Sequence, residues 1–502
     1  MFIVIKKSIL PILIVLLVSI SLVLCLYNLG EFPIQNGDET THAKVMQEMV
    51  IDNNWLSPTI SGKPYYNKPP FKMWLSALVV KGFGETNFNY RVVDGVSGFL
   101  LIIATCFVGY ILFDSILVGI FAGFAIISAH ELFFDHGIRL ATQDTFVNLL
   151  ITINIYFVCR ILKGDQSLRN YLSIGILAGI GVLTKSIIGL FPYYILVTAF
   201  LYFQIAQGEN RIHIKFSLIS LAIAIFIPSL YFVPHFIFNS EAIKIAVNNE
   251  VYERVTQGYH NQTQFWFYLR KIYTKNSLIP PSVLTISLLI VIIKDKLQFT
   301  NIILAIWGVL TVIIFSIIPS RLLWYIYPAM PAFAIIVGRA IEILFSSYIK
   351  TAKSWKSPKF LAGLLLLVFI FSQLYLGIRR NFFSVVDANF RADLEMISIN
   401  NKGIVVGFED GMPLGRPEIF YLSQLRAKSY SFDKLVELYR DNKLDLIYFA
   451  PRLSSEDKSI NNRKDVCNAY VSKKQLGRKT NNLICAKQNV VLQESLKKQQ
   501  WK

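Results

Sequence analysis

Eleven apolar segments of about 16 to 22 residues alternate with polar loops along the first 377 residues of the chain. They lie at 9–29, 92–113, 116–134, 145–162, 170–185, 187–206, 216–237, 277–293, 301–319, 322–343 and 360–377. A helix that crosses a bilayer needs about 20 predominantly apolar residues. The pattern therefore predicts an all-α polytopic membrane domain over residues 1–377, with about 11 transmembrane helices.

The charges of the loops predict how these helices are oriented. Loops on the cytoplasmic side of a membrane are rich in Lys and Arg. Basic residues gather in alternate loops, at Lys6 and Lys7, at Arg160, Lys163 and Arg169, at Arg211 and Lys215, at Lys294 and Lys296, and at Lys350, Lys353, Lys356 and Lys359. This places the N-terminus inside the cell and the long loop 30–90 outside.

The polar remainder, residues 378–502, is extracytoplasmic by the same count. Segments 404–408 and 444–450 have the composition of buried strands, and 431–439 has the pattern of an amphipathic helix. We expect a small C-terminal α/β domain here. Cys467 and Cys485 could form a disulfide only if this region is outside the cytoplasm.

Composition excludes an ordinary cytosolic enzyme. The 502 residues are 54% hydrophobic and only 16% charged, whereas soluble chains carry about 25% charged residues. Fifty Lys and Arg against 32 Asp and Glu give a net charge of +18. For a membrane protein, this excess favours an anionic lipid surface or a phosphate-bearing substrate over nucleic acid.

Adjacent carboxylates, Asp38 and Glu39, stand at the start of an amphipathic segment in the first loop. They fit the N-cap and first turn of an interfacial helix, where backbone N–H groups and the helix dipole favour negative charge. Carboxylates just outside the bilayer can also serve as a general base and its partner. The two roles are compatible, so both interpretations remain open.

Lys68 is followed by two prolines, Pro69 and Pro70, that fix its backbone, and Trp, Tyr and Phe residues surround it in sequence. A rigidly presented ammonium at the membrane interface suits a lipid phosphate, although a lysine that only reaches anionic headgroups is common. The order of Asp38-Glu39, the Trp-Leu-Ser-Pro run at 55–58 and the Tyr-Tyr-Asn-Lys-Pro-Pro run at 65–70 resembles polytopic GT-C glycosyltransferases. Within them it resembles the lipid A aminoarabinose transferases and bacterial relatives of protein O-mannosyltransferases.

Four later segments extend the resemblance in the order of the family. Arg139 and Asp144 resemble its short second loop, and Lys185 lies in a Thr-Lys-Ser sequence where the family has Thr-Lys-Gly. Residues 249–254, with His260 after them, resemble its third outer loop. Arg321 and Tyr325 begin a segment that resembles its Lys-x-x-x-Tyr-x-x-Pro motif, with Arg in place of Lys. Arginine keeps the charge and adds a bidentate fork for phosphate.

The resemblance implies a GT-C fold and transfer of a sugar from a polyprenyl-phosphate donor to an acceptor at the outer face of the membrane, with inversion at the anomeric carbon. It implies that one or more carboxylates act as the base or orient the acceptor oxygen, and that cations stabilise the leaving phosphate. The candidates for the carboxylates are Asp38, Asp144 and Glu39. The candidates for the donor phosphate site are Lys68, Arg321, Lys185, Arg139 and Tyr325, the last two positioning the donor or the carboxylates.

One departure from the family concerns a metal. Asn67 stands where the lipid A transferases usually have Glu before Lys-Pro-Pro, so a metal held between that Glu and a loop histidine would lose its anionic ligand. His260 alone would bind a metal poorly. We therefore expect no required cofactor.

The expected partners are a polyprenyl-phosphate-linked sugar, an acceptor that is lipid A or another envelope glycan or lipid, and the bilayer of a bacterial inner membrane, with no nucleic acid. Transfer onto protein is the alternative within the enzyme class. A transporter or flippase of a lipid-linked saccharide is the alternative from another class. Transporters show repeated halves and ionisable groups near the bilayer midplane, whereas the ionisable groups of this chain gather in its outer loops.

Overall fold

A computed structural model of the chain describes two compact units, one of residues 1–30 and 45–388 and one of residues 31–44 and 389–502. The described residues are 2–31, 34–35, 37–209, 211–238, 240–241, 244, 248, 252–256, 264–273, 279–295, 298–351, 358–386, 406–409, 428–430, 434, 437–438, 443, 446–449, 472–476 and 482–486. His260 and Cys467 lie outside them, as does most of the predicted helix 431–439.

Helices make up nearly all of the described chain up to Val386. From the N-terminus they are α1 (Phe2–Leu26), α2 (Asp38–Ile51), α3 (Phe71–Phe83), α4 (Asn87–Phe113), α5 (Ile116–Ile127), α6 (His130–Phe134), α7 (Asp144–Leu162), α8 (Leu168–Lys185) and α9 (Phe191–Leu201). They continue with α10 (Ile214–Phe238), α11 (Glu253–Thr256), α12 (Phe267–Ile272), α13 (Pro281–Asp295), α14 (Phe299–Leu304), α15 (Thr311–Ile317), α16 (Met330–Thr351) and α17 (Pro358–Val386).

Short 3₁₀ and π-helical segments connect several of these helices. Ser186–Leu190 and Leu323–Ala329 are 3₁₀ turns, and Tyr202–Gln207 and Ala305–Leu310 are π-helical. A short hairpin of β1 (Thr59–Ile60) and β2 (Lys63–Pro64) lies in the first loop. Glu48 holds the hairpin, because its carboxylate accepts from the Thr59 hydroxyl at 2.8 Å and from the Ser61 N–H at 2.7 Å.

Seven stretches of the described chain are long and apolar enough to cross a membrane. They are Asn87–Phe113, Asp144–Leu162, Leu168–Ile205, Ile214–Phe238, Phe299–Ile317, Leu323–Ser347 and Gly363–Phe382, and the shorter helices Leu10–Leu26 and Ile116–Ile127 are also apolar. The prediction of an all-α polytopic membrane fold is confirmed. The number of eleven spans stays a prediction.

Small residues allow the helices α8 and α10 to pack closely. A Cβ atom at Gly175 would lie 2.5 Å from the Ser220 carbonyl oxygen, and one at Gly179 would lie 2.9 Å from the Ile227 Cβ. Glycines four positions apart share a face of a helix and let the two backbones approach, as small residues do in membrane helix pairs. Elsewhere α16 packs on α5 and α4 packs on α7.

The described C-terminal residues form a five-stranded mixed sheet. Its strands are β3 (Val406–Glu409), β4 (Lys428–Tyr430), β5 (Leu446–Phe449), β6 (Ser472–Leu476) and β7 (Asn482–Ala486), in the order β4-β3-β5-β7-β6. The strand β3 is parallel to β4 and β5, whereas β7 is antiparallel to β5 and β6. The strands β3 and β5 fall on the two segments predicted to be buried strands, and α17 runs to Val386, past the predicted boundary at 377.

Candidate functional site

Asp144 and Lys185 form an ion pair in the membrane unit. Asp144 is the first residue of α7 and Lys185 is the last residue of α8, and their side chains are 7% and 15% exposed. A carboxylate at a helix N-terminus and an ammonium at a helix C-terminus are each favoured by the helix dipole. Two predicted site residues that are far apart in sequence are therefore brought together.

The turn after Lys185 is made by Ser186, whose φ is +55° and ψ is −140°. Glycine adopts this conformation readily, but for a residue with a Cβ atom it is strained. This backbone geometry explains why glycine suits the position that Ser186 occupies here. The helix stops at Lys185 because the chain turns at the next residue into the 3₁₀ segment Ser186–Leu190.

Three other parts of the chain contact the second loop, residues 128–143, and fix its position. Arg139 donates to the carbonyl oxygens of Leu24 at 2.9 Å, Tyr27 at 2.9 Å and Asn28 at 2.8 Å. Burial, together with the nearby Arg91 charge, lowers the pKa of Arg139 to about 10. Arg139 therefore stays cationic at neutral pH. Its three bonds to backbone carbonyls anchor the loop to the end of α1, and they favour this structural role over phosphate binding.

The second contact with this loop comes from the Lys-Pro-Pro segment. The Gln143 side-chain amide donates to the Pro69 carbonyl oxygen at 3.0 Å. Lys68, the residue before Pro69, is 9% exposed, and α3 begins two residues after Pro69 at Phe71. The position of Lys68 is therefore tied through Pro69 to the residue that directly precedes Asp144.

The third contact with the second loop comes from the 3₁₀ segment Leu323–Ala329. The Tyr327 hydroxyl lies 2.6 Å from the Asp135 carbonyl oxygen and 3.0 Å from that of Glu131. The rings of Trp324 and His136 stack with centroids 3.5 Å apart. The segment that carries Tyr325 is thereby fixed against the loop that leads to Asp144.

Arg321 and Tyr325 lie close to Tyr268 and to Arg254, the last residue of the segment 249–254 that resembles the third outer loop. Arg321 is buried, and its Nε and Nη2 atoms both donate to the Ser316 carbonyl oxygen, at 3.1 and 2.9 Å. The Arg254 guanidinium donates to the Tyr325 hydroxyl at 2.5 Å. The Tyr268 hydroxyl donates to the Leu322 carbonyl oxygen at 3.1 Å, and burial raises the pKa of Tyr268, so the phenol stays neutral.

Asp135 is a further carboxylate that sequence reasoning missed. Burial raises the pKa of Asp135, the Asp144 charge raises it as well, and His136 and Lys271 oppose both effects. Burial likewise raises the pKa of Glu131, with Asp135 adding to the shift. The Lys271 charge lowers the pKa of both carboxyl groups and so opposes both shifts. The only sequence signal for Asp135 was its place directly before the Arg139 motif.

Asp38 and Glu39 belong to the second unit, within residues 31–44. Asp38 is the first residue of α2, and the Gly37 carbonyl before it accepts the first helical bond, from Thr41 at 3.2 Å. Asp38 therefore lies in the first turn with Glu39, and Gly37, whose φ is +111°, takes the predicted cap position. Glu39 is 2% exposed, and its Oε2 atom accepts the backbone N–H of Gln35 at 2.7 Å. This contact gives Glu39 a part in ordering the segment that precedes the helix.

No group of three or more His, Cys, Asp and Glu side chains that could hold a metal occurs among the described residues. Asn67 is exposed next to Lys68. His260, the other residue of the metal hypothesis, lies outside the described residues, so the expected independence from metal stays a prediction.

Comparisons with known proteins bear on the fold and the family. Residues 67–232 match the family model of dolichyl-phosphate-mannose-protein mannosyltransferases. Over 94% of its length the chain superposes on ArnT from Cupriavidus metallidurans bound to undecaprenyl phosphate, covering 97% of that chain with a TM-score of 0.65 and 17% identity. The protein has the GT-C fold. An oligosaccharyltransferase from Archaeoglobus fulgidus shares this GT-C architecture with a TM-score of 0.56 and 11% identity, over 89% of this chain and 69% of that one.

Curated relatives confirm the resemblance that the motifs indicated. An undecaprenyl phosphate-alpha-4-amino-4-deoxy-L-arabinose arabinosyl transferase of Pseudomonas fluorescens is 21% identical over 61% of this GT-C chain and 53% of the relative. A second transferase of that species is 23% identical over 61% of the chain and 52% of the relative. The chain spans about half the length of these curated relatives.

Proposed function

We propose that the protein is a membrane glycosyltransferase that takes a sugar from a polyprenyl-phosphate carrier. The observation that carries the proposal is the Asp144–Lys185 pair beside a loop that is fixed to the Lys68-Pro69 segment and to the segment of Tyr325. This arrangement joins a carboxylate to two segments that each carry a cation. The relatives from Pseudomonas fluorescens are transferases named for an undecaprenyl phosphate-linked aminoarabinose, and they support the same class of donor.

The proposed reaction is an inverting displacement at the anomeric carbon. The acceptor hydroxyl gives its proton to Asp38 while its oxygen forms the new bond to the anomeric carbon. The bond from that carbon to the phosphate oxygen breaks, and the polyprenyl phosphate leaves with the electron pair. Lys68 and Arg321 stabilise the charge on the leaving phosphate, and Lys185 pairs with Asp144 and orients its carboxylate.

The acceptor is proposed to be lipid A or another envelope glycan or lipid, with protein as a second candidate. The curated aminoarabinose transferases favour the first, and the family model described as a protein mannosyltransferase favours the second. The test is an assay of the purified protein with synthetic polyprenyl-phosphate sugars and each acceptor class, read by mass spectrometry. Release of polyprenyl phosphate with a glycosylated acceptor supports the proposal, whereas movement of intact donor across vesicles without release supports a flippase.

Replacing Lys68 or Arg321 by Ala is expected to lower transfer about 10- to 150-fold, because each variant loses a charge-assisted interaction of roughly 1.5 to 3 kcal/mol with the phosphate. The Arg321→Lys variant keeps the charge but loses the two bonds to the Ser316 carbonyl, so it recovers only part of the rate. Rates are measured at several donor concentrations on purified protein.

The control for these two cations is Arg211→Ala. Arg211 pairs with Glu209 at 2.6 Å in a loop assigned to the inner side, so its loss should leave transfer within about twofold of the wild type. Full activity of both the Lys68→Ala and Arg321→Ala variants would show that these two cations do not hold the donor phosphate.

We expect the first loop to face the outside of the cell. In a cysteine-free background, a cysteine at Ser61 should react with a membrane-impermeant thiol reagent on intact cells, because Ser61 is exposed at the tip of the first-loop hairpin. A cysteine at Ser167, which is exposed in the loop between α7 and α8, should react only after the cells are opened. The reverse labelling pattern would put the site on the cytoplasmic side.

Transfer is expected to continue in EDTA, because Asn67 supplies no negative charge to a metal. His260→Ala should cost less activity than Lys68→Ala for the same reason. The measurement is one transfer assay with and without the chelator, followed by addition of zinc or magnesium. Loss of activity in EDTA that a metal restores would establish a metal site that Asn67 does not prevent.

A further inference from the structure

An apolar groove lies between α1, α5 and α17 of the membrane unit. Its volume is about 580 Å³, and its walls include Leu13 and Ile20 of α1, Phe121 and Phe124 of α5, and Leu374 of α17. Phe121 and Leu374 are buried at its base. The volume falls within the range of about 300 to 1,000 Å³ that is typical of small-molecule sites.

One end of this groove carries a positive charge. Of the described residues that line it, Arg379 is the only charged one, and it is exposed near the end of the apolar stretch 363–382. Tyr375, one turn before Arg379 on the same helix, is 63% exposed and also lines the groove. Exposed tyrosines and arginines at the end of a membrane span mark the level of the lipid headgroups.

A second groove provides an internal comparison. It lies between α13, α14, the π-helical turn Ala305–Leu310 and α16, has a volume of about 520 Å³ and is lined by apolar residues with Asn301 as the only polar one described. The two grooves are thus alike in size and apolar character, but among the described lining residues only the first groove has a cation. A lipid chain could enter either groove, whereas only the first can select a headgroup.

We propose that the first groove binds one anionic diacyl phospholipid of the bilayer, with an acyl chain along Phe124 and Leu374 and the phosphate on Arg379. A guanidinium binds a phosphate through charge-assisted hydrogen bonds, and an apolar wall next to it holds the chain. The site uses none of the residues assigned to sugar transfer. The lipid site can therefore be tested independently of the proposed transferase activity.

The neighbouring Arg380 supplies a matched control. Its positive charge acts on Glu131 of the second loop, and Arg380 does not line the groove. The next residue, Asn381, donates to the Ile127 carbonyl oxygen at 2.8 Å and accepts from the His130 ring at 2.7 Å. Consecutive residues of α17 thus meet different surroundings, so equal charge changes at 379 and 380 separate a local headgroup contact from a general loss of positive charge.

The experiment is native mass spectrometry of the full-length protein with phosphatidylglycerol and phosphatidylcholine of equal chain length. The wild type is expected to retain phosphatidylglycerol about five- to tenfold more strongly. Arg379→Gln should remove this preference and Arg380→Gln should keep it. Ile20→Trp, which fills the groove, should lower retention of both lipids. Equal retention by the wild type, or equal losses in Arg379→Gln and Arg380→Gln, would overturn the proposal.

A measurement on the wild type covers the case in which a variant does not fold. Phosphatidylglycerol with a photoreactive tail should crosslink to peptides of α1 and α17 that line the first groove. Crosslinks confined to α13 and α14, at the second groove, would contradict the proposal. Displacement of the bound lipid by an equal concentration of polyprenyl phosphate would also overturn it, because the groove would then belong to the sugar carrier.

Discussion

Replacing Asp38 by Asn is expected to lower transfer by about 10²-fold or more while the amount of protein in the membrane stays unchanged. Asp38 is the first residue of α2, and Asn has nearly the same size and shape as Asp. The substitution therefore removes the negative charge and keeps the shape. A large loss of rate with normal expression would assign the charge to proton transfer or to orientation of the acceptor.

The matched control for this variant is Asp52→Asn. Asp52 is exposed directly after the other end of the same helix, so the same chemical change there should leave the rate within about twofold. Normal turnover of the Asp38→Asn enzyme would leave Asp38 with a structural role at the start of α2 only. The question of the base would then pass to Asp144 and Asp135.

Replacing Asp144 by Asn should also lower transfer by about 10²-fold or more, per folded molecule. The variant leaves the Lys185 ammonium without its carboxylate in a largely buried site, so it should also destabilise the fold by up to about 3 kcal/mol. Adding Lys185→Met should recover much of the stability, because the unpaired charge is then gone. It should not recover the rate, and this split between thermal unfolding and activity separates the two roles of the pair.

A second buried ion pair allows a direct control for Asp144. Lys72 of α3 pairs with Asp94 of α4, and the two side chains are 1% and 0% exposed. Asp94→Asn should therefore destabilise the protein at least as much as Asp144→Asn does. Transfer per folded molecule should nevertheless persist. An equal loss of rate in both variants would mean that Asp144 acts through the fold alone.

Much of the membrane fold could be predicted from the sequence, because a span is a local property of about 20 apolar residues. The predicted spans 145–162, 216–237 and 301–319 coincide with observed apolar helices to within a few residues. The spans predicted at 170–185 and 187–206 form one apolar stretch, Leu168–Ile205, that is interrupted by the turn at Ser186. The boundary that the sequence predicted between these two spans, at residue 186, coincides with that turn.

The contacts of the site were less predictable, because they depend on residues that are distant in sequence. Lys185 was proposed for the donor phosphate, yet it pairs with Asp144, and nothing in either motif indicates this contact. Arg139 has the charge expected of a phosphate ligand, but it donates to three backbone carbonyls at the end of α1. Residue type predicts which groups could bind an anion, whereas the packing of the helices decides which of them do.

The helix end at Lys185 also restricts how α8 can change in length. Successive residues of an α-helix are rotated by about 100°, so one inserted or deleted residue within α8 would turn the lysine away from Asp144. The glycine face that packs on α10 at Gly175 and Gly179 fixes the middle of the helix and prevents it from rotating to compensate for a change between Gly179 and Lys185. Substitutions on the lipid-facing side of α8 are therefore tolerable where insertions and deletions are not.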